Sequence, residues 1–283
     1  MKSTFWYWFI AVFITLGAMV YQRVTGPTHS KLVKYEVNGE KIKTFFPRSG
    51  NSGTDCKIEI AAIPDNYEAI LYYRHFPTKE EWVEQSFQSD GAGKIFSMLP
   101  SLPAAGKYEY YIELKNNENN NIIEISKDEP VAIRFKNSVP AWALIPHIIL
   151  IFIAMLFSNV AGTMAIFKYE RFAFYGALTL IFLLVAGFIF GPLVQYYAFG
   201  QAWTGFPFGY DLTDNKTLIA FIGWAIAVYF NRNEKRPYLS IAAALLMIIV
   251  YSIPHSLRGS ELNYETGKVV TGFIPLVRSF LPF

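Results

Sequence analysis

Two periodicities divide this chain. Residues 5–22 carry no charge, follow Lys2 and precede Arg23, which is about the length a helix needs to cross a hydrocarbon layer. After a long polar interval, residues 141–167 are uncharged apart from His147, and residues 172–210 hold no ionisable side chain except tyrosine. Both outlast a soluble core helix. Gly191-Pro192 is expected to end or kink the second stretch near its far end, leaving 196–210 as an interfacial loop full of aromatics. Residues 217–230 and 238–253 supply two further apolar segments near the lower length limit for a crossing. The pattern predicts five membrane helices.

The interval between the first two helices reads in period two. In 57–63, Ile58, Ile60 and Ala62 share one face, and in 107–115 Tyr108, Tyr110, Ile112 and Leu114 oppose Glu109, Tyr111, Glu113 and Lys115. Asn38-Gly39 signals a hairpin between 31–37 and 41–46, and the asparagine run 116–121 turns the chain before 122–126 and 130–135. About seven strands fit an all-β immunoglobulin-like or fibronectin-like sandwich, with Tyr108 or Tyr110 as its corner tyrosine. Thr78-Lys79-Glu80-Glu81 matches a capping box, so a helical turn carrying Trp82 is expected after Pro77. His75 and His29 read as surface histidines.

Basic residues orient the helices. Lys168 and Arg171 mark one short loop, and Arg232, Lys235 and Arg236 mark another, placing both on the cytoplasmic side. The expected division is an N-terminal anchor at 1–27, an exported sandwich at 28–137, a four-helix membrane bundle at 138–258 and a periplasmic or interfacial tail at 259–283. An uncleaved anchor is favoured over a signal peptide. The first apolar stretch is long and rich in Trp and Tyr, and Leu16-Gly17-Ala18 is its nearest approach to a cleavage site.

Composition agrees with membrane insertion. The 283 residues are 53% hydrophobic and 17% charged, too apolar for one ordinary soluble domain. The net charge of +3 and the lack of a basic run interleaved with aromatics argue against nucleic acid. One cysteine, Cys56, makes neither an internal disulfide nor a CxxC site and reads as a small apolar strand residue.

The chemistry concentrates at the predicted outer face. Ile145-Pro146-His147 and Ile253-Pro254-His255 lie in separate apolar segments, and Asp211-Leu212-Thr213-Asp214-Asn215-Lys216 lies between two others. Two neutral imidazoles facing across a bundle are suited to haem b or, with Asp211 and Asp214, to a transition metal. Asp211, Asp214, Lys216 and Glu261 are alternative acid-base or anion-positioning groups. Against this, Asp214 or Thr213 serves equally to cap a helix, Lys216 to snorkel at the interface, and Gly187-xxx-Gly191 to let helices pack closely.

The stretches 21–28, 207–216 and 253–262 resemble sequences of a group of uncharacterised bacterial membrane proteins. The resemblance runs nearly the whole chain; it implies a bacterial inner-membrane protein with a periplasmic domain and carries no activity. Three functional classes follow: a redox or metal-binding membrane subunit, a membrane-embedded hydrolase or transferase, and a non-catalytic assembly or sensing protein. The last would dock a periplasmic or membrane protein partner.

Overall fold

The computed structural model describes residues 4–254 and 260–270. They form two compact units. The helical unit holds the described residues of 1–27 and 139–260, and the β unit holds Thr28–Ser138 and Glu261–Val270.

In the β unit, the strands are β1 Lys31–Val37, β2 Glu40–Phe46, β3 Ser49–Asn51, β4 Cys56–Ala61, β5 Tyr67–His75, β6 Val83–Ser86, β7 Gln88–Ser89, β8 Lys94–Leu99, β9 Lys107–Asn116, β10 Ile122–Ile125, β11 Val131–Lys136, β12 Glu261–Leu262 and β13 Val269–Val270. The largest sheet runs β3-β11-β9-β5-β6 with β10 also on β9; β4-β8-β7, β1-β2 and β12-β13 form the others. All pairs are antiparallel except β11 with β3. Alternation decides what is buried. Ile58 and Ile60 of β4, Leu71 of β5, and Tyr110, Ile112 and Leu114 of β9 enter one core shared with β1, β2, β8, β10 and β11. At the β1–β2 turn Asn38 (φ 50°) and Gly39 (φ 85°) are both left-handed, the backbone a two-residue hairpin requires.

Three expectations change. Residues 78–82 form no helix: Arg74 stacks its guanidinium 4.3 Å from the Trp82 ring and bonds the Glu80 carbonyl, holding the segment open against β5. Tyr110 donates to the Pro47 carbonyl at 2.9 Å, 63 residues away, so it ties β9 to the chain after β2 instead of forming a local corner. Residues 261–270, read as part of a tail, pair as β12–β13 and pack on the β unit. There Lys107 meets Glu261 at 2.7 Å, and the Leu262 N–H donates to the Ala105 carbonyl. Tyr264 deepens this contact. Its hydroxyl accepts from the Lys107 N–H at 2.8 Å and donates to the Lys107 carbonyl at 2.6 Å, and its ring lies 4.4 Å from that of His75. Burial pushes the Tyr264 phenol up to about 12, so it stays a donor throughout the physiological range.

The helical unit contains α1 Phe5–Thr25, α2 Ala141–Ile166, α3 Phe172–Val185, a π-helical turn Ala186–Phe190, α4 Gly191–Phe199, α5 Leu212–Phe230 and α6 Pro237–Ser252. Among the described residues, three helices are long and apolar enough to cross a membrane: Phe5–Thr25, Ala141–Ile166 and Phe172–Phe199. Pro237–Ser252 is a shorter apolar helix. Of the expected end or kink at Gly191-Pro192, the end does not occur: a π turn precedes it, and residues 196–199 are helical. Pro192 lacks an N–H and crowds the carbonyl four residues back; one π turn relieves that clash without ending the helix.

Small residues bring the helices together. A Cβ on Gly162 would stand 2.6 Å from the Ala244 Cβ, one on Gly176 would stand 2.9 Å from the Trp224 ring, and one on Gly187 would stand 2.5 Å from Thr217. These close approaches join α2 to α6, α3 to α5 and the π turn to α5. Helix α1 joins the unit through Asn159, whose amide donates to Thr15 Oγ1 at 3.0 Å, and through Gln22, whose amide donates to the Tyr251 carbonyl.

Tyr264→Phe should loosen the hairpin from β9, because the Lys107 N–H loses its acceptor, while the Lys107 carbonyl keeps the Phe76 N–H. Hydrogen exchange on the full chain should show the Lys107 amide about fivefold faster, corresponding to about 1 kcal/mol for a partly buried unpaired donor. Unchanged exchange would show that the β12–β13 contact does not depend on the hydroxyl.

Candidate functional site

The expected outer-face residues lie in different settings. His147 sits six residues into α2, about 9 Å from its start at 1.5 Å per residue, immediately after Pro146 inside the same helix. Its Nδ1 lies 2.9 Å from the carbonyl oxygen of Ala186, the first residue of the π turn. A carbonyl only accepts, so Nδ1 carries the proton and Nε2 holds the lone pair. Gly191 lies beside the ring, a Cβ built there standing 3.7 Å from His147 Cε1, an ordinary van der Waals contact. Among the described residues, Nε2 has no hydrogen-bond partner.

Asp211 and Asp214 do structural work. Asp211 precedes α5 in extended backbone and accepts from the N–H groups of Thr213 (2.7 Å) and Asp214 (3.3 Å), so the helix cap is Asp211 and not Asp214 or Thr213. Asp214, 7% exposed, accepts from the Thr204 N–H at 2.6 Å, the Gly205 N–H at 3.1 Å and the Thr204 hydroxyl at 3.2 Å. Oriented to satisfy both neighbours, the Gln195 amide donates to Asp214 at 2.9 Å and its oxygen competes with Asp214 for the single Thr204 hydroxyl proton. Beside it, Asn215 accepts from the Phe206 N–H at 2.7 Å. The loop between α4 and α5 is thus clamped onto the first turn of α5. Gly205 is required there, since a Cβ would stand 2.7 Å from Asp214 Cβ.

Lys216 is 3% exposed, and its ammonium donates to the Ile253 carbonyl at the end of α6. This is the favourable place for a cation, where helix carbonyls lack intrahelical partners. Thr217 follows it, packed into the Gly187 notch, with the buried Tyr251 phenol facing its side chain. A polar layer therefore crosses the helical unit from His147 through the π turn to Thr217, Tyr251, Lys216 and Ile253, and on to Gln22 of α1.

Two sequence candidates stand apart. Glu261 belongs to the β unit and pairs with Lys107. His255 lies outside the described residues, two positions beyond the carbonyl that Lys216 holds. Among the described residues, no group of three His, Cys, Asp or Glu side chains is placed to hold a metal ion. Sequence reasoning missed Gln195, Thr204 and Gly205 because backbone donors in a loop leave no side-chain signature. The Gly187-xxx-Gly191 spacing was legible, but only as a packing device. No protein-family model matches the chain, and no curated protein does either.

Removing the Asp214 carboxylate strips the Thr204 and Gly205 amides of their acceptor. Asp214→Ala should accelerate hydrogen exchange at both by roughly 30- to 150-fold, the equivalent of about 2–3 kcal/mol for buried groups bonded to a charge. Asp214→Asn keeps one acceptor oxygen and should fall between. If both variants exchanged like the parent, the clamp would not hold the loop.

Proposed function

We propose that this chain is a multi-pass protein of the bacterial inner membrane, bearing a periplasmic immunoglobulin-like sandwich and an outer-face haem b or transition-metal site with His147 as a ligand. Membrane insertion is supported by the three long apolar helices and by the side chains they expose, among them Phe9, Phe13 and Leu16 of α1, Ile145 and Ile149 of α2, and Ile181 of α3. In this reading α5, with 19 residues, and α6, with 16, complete five crossings at the short end of the usual range. The basic turns at 168–171 and 232–236 then face the cytoplasm. Sheets that share one core fit a sandwich.

One observation carries the ligand reading: the Ala186 carbonyl fixes the His147 tautomer with the Nε2 lone pair free. Ligating histidines are oriented in this way, through the nitrogen that does not touch the metal. The donor set fits a histidine-ligated group in part. His147 suits it and His255 is the natural second ligand; each aspartate already has one oxygen engaged by backbone N–H groups, Asp211 Oδ1 by Thr213 and Asp214 and Asp214 Oδ2 by Thr204 and Gly205. A bound haem would carry single electrons. The chain's own share is to orient His147 through Ala186, to seat it against Gly191, and to fix the end of α6 before His255 through Lys216. The hydrolase or transferase alternative would draw on the same two aspartates, which here also cap α5 and hold the loop before it.

The purified full chain, given haem during expression, should show a Soret band and reduced b-type bands. His147→Ala and His255→Ala should each weaken or abolish them without disturbing insertion, and metal analysis covers the non-haem form. Full incorporation conditions that yield neither haem nor stoichiometric metal would reject ligation.

A second reading, docking of a periplasmic partner, is favoured by the outward face of β5 and β9. There Tyr72 and Tyr111 stack at 4.9 Å, Trp82 meets Tyr111 edge-on at 4.8 Å and Arg74 lies over Trp82. Tyr111 is itself buried beneath these neighbours, so Tyr72, Trp82 and Arg74 are the side chains left to a partner, and rigid aromatic and arginine anchors are the usual composition of interface hot spots.

A further inference from the structure

The β1–β2 hairpin presents an outward face unlike the rest of the β unit. Its inward side chains Val33, Tyr35, Val37 and Phe46 are buried, while Leu32 is 46% and Phe45 63% exposed. Register makes these two direct cross-strand partners, followed by Lys34 opposite Lys43 and Glu36 opposite Lys41. The face therefore holds an exposed apolar pair beside three lysines and one glutamate. Lys34 and Lys43 join no ion pair among the described residues, and like charges set directly opposite across strands repel. Such a pair is stabilised by an anion.

Chain length restricts what can reach it. Helix α1 ends at Thr25, and Leu32 is seven residues on. A fully extended segment of that length spans about 25 Å, so the apolar pair is tethered near the outer end of the anchor. An apolar pair flanked by lysines matches the layering of a bilayer surface, where apolar groups enter the interface and cations meet phosphates.

We propose that this hairpin face rests on the membrane surface, with Leu32 and Phe45 in the interfacial layer and Lys34, Lys41 and Lys43 on anionic phospholipid headgroups. The inference rests on the inner-membrane reading above. It makes the β unit a domain held against the bilayer by its first hairpin, leaving the β5–β9 face on a different sheet for other contacts.

The test uses the full chain in nanodiscs, with Cys56→Ser and a spin label at Phe45→Cys. In phosphatidylglycerol nanodiscs the label should collide more with dissolved oxygen than with a water-soluble nickel chelate. In phosphatidylcholine nanodiscs, or with Lys34→Glu and Lys43→Glu together, it should become as water-accessible as a label at Asn119→Cys in the 116–121 turn. A Phe45 label exposed to the chelate in phosphatidylglycerol overturns the proposal. So does one shielded equally in both lipids and indifferent to charge reversal. A label at Phe13→Cys on α1 separates the two readings: if it too is water-exposed, the membrane reading fails.

Discussion

Close approach of small residues is the constraint on which the helical unit depends. In the membrane setting proposed above the hydrophobic effect would not drive one helix onto another, and association would rest on van der Waals contact and interhelical hydrogen bonds. Gly162 against Ala244, Gly176 against Trp224 and Gly187 against Thr217 supply the first. Thr15, Asn159, Gln22 and Lys216 supply the second.

The β unit obeys the opposite rule. Its alternating strands put Ile58, Leu71, Ile112 and Ile133 into a shared core, so burial of apolar area is the main driving force there. Its edges are then managed by charge. Glu59 bonds both Lys57 and Lys94 across β4 and β8, and these cations hold its carboxyl down at about 2. Lys127 joins Glu113 to Glu124 across β9 and β10. The β12–β13 hairpin extends this domain with a segment remote in sequence, placing the Tyr264 ring beside His75.

Much of the fold was legible because two signals are strong on their own. Period two marked β4 and β9, and uninterrupted apolar length marked α1, α2 and α3. The misses share a cause: a local motif was outweighed by a tertiary partner. The capping-box residues at 78–81 stay extended because Arg74 and Trp82 stack across them. Pro192, expected to end or kink the helix, follows a π turn in a helix that continues to Phe199. Residues 261–270 carry no periodicity long enough to announce a hairpin, and their place is set by Lys107 and Ala105. At the candidate site, His147 and the 211–216 stretch stood out as polar groups in apolar surroundings. Their roles depend on which backbone groups approach them, and sequence does not display that.

The π turn joins these themes. In a regular helix the Ala186 carbonyl would accept from residue 190; here Gly191, one residue further on, supplies the N–H. The widened turn leaves the second lone pair of that carbonyl open to a donor from another helix, and His147 takes it. Both glycines of the Gly187-xxx-Gly191 spacing are then used for different ends. Gly187 admits Thr217 and brings α5 close, while Gly191 packs beside the imidazole. A regular helix would draw the Ala186 carbonyl back into its own ladder. Pro192 causes the widening, so the same residue that disturbs the helix creates the acceptor that fixes the His147 tautomer and leaves its Nε2 lone pair free.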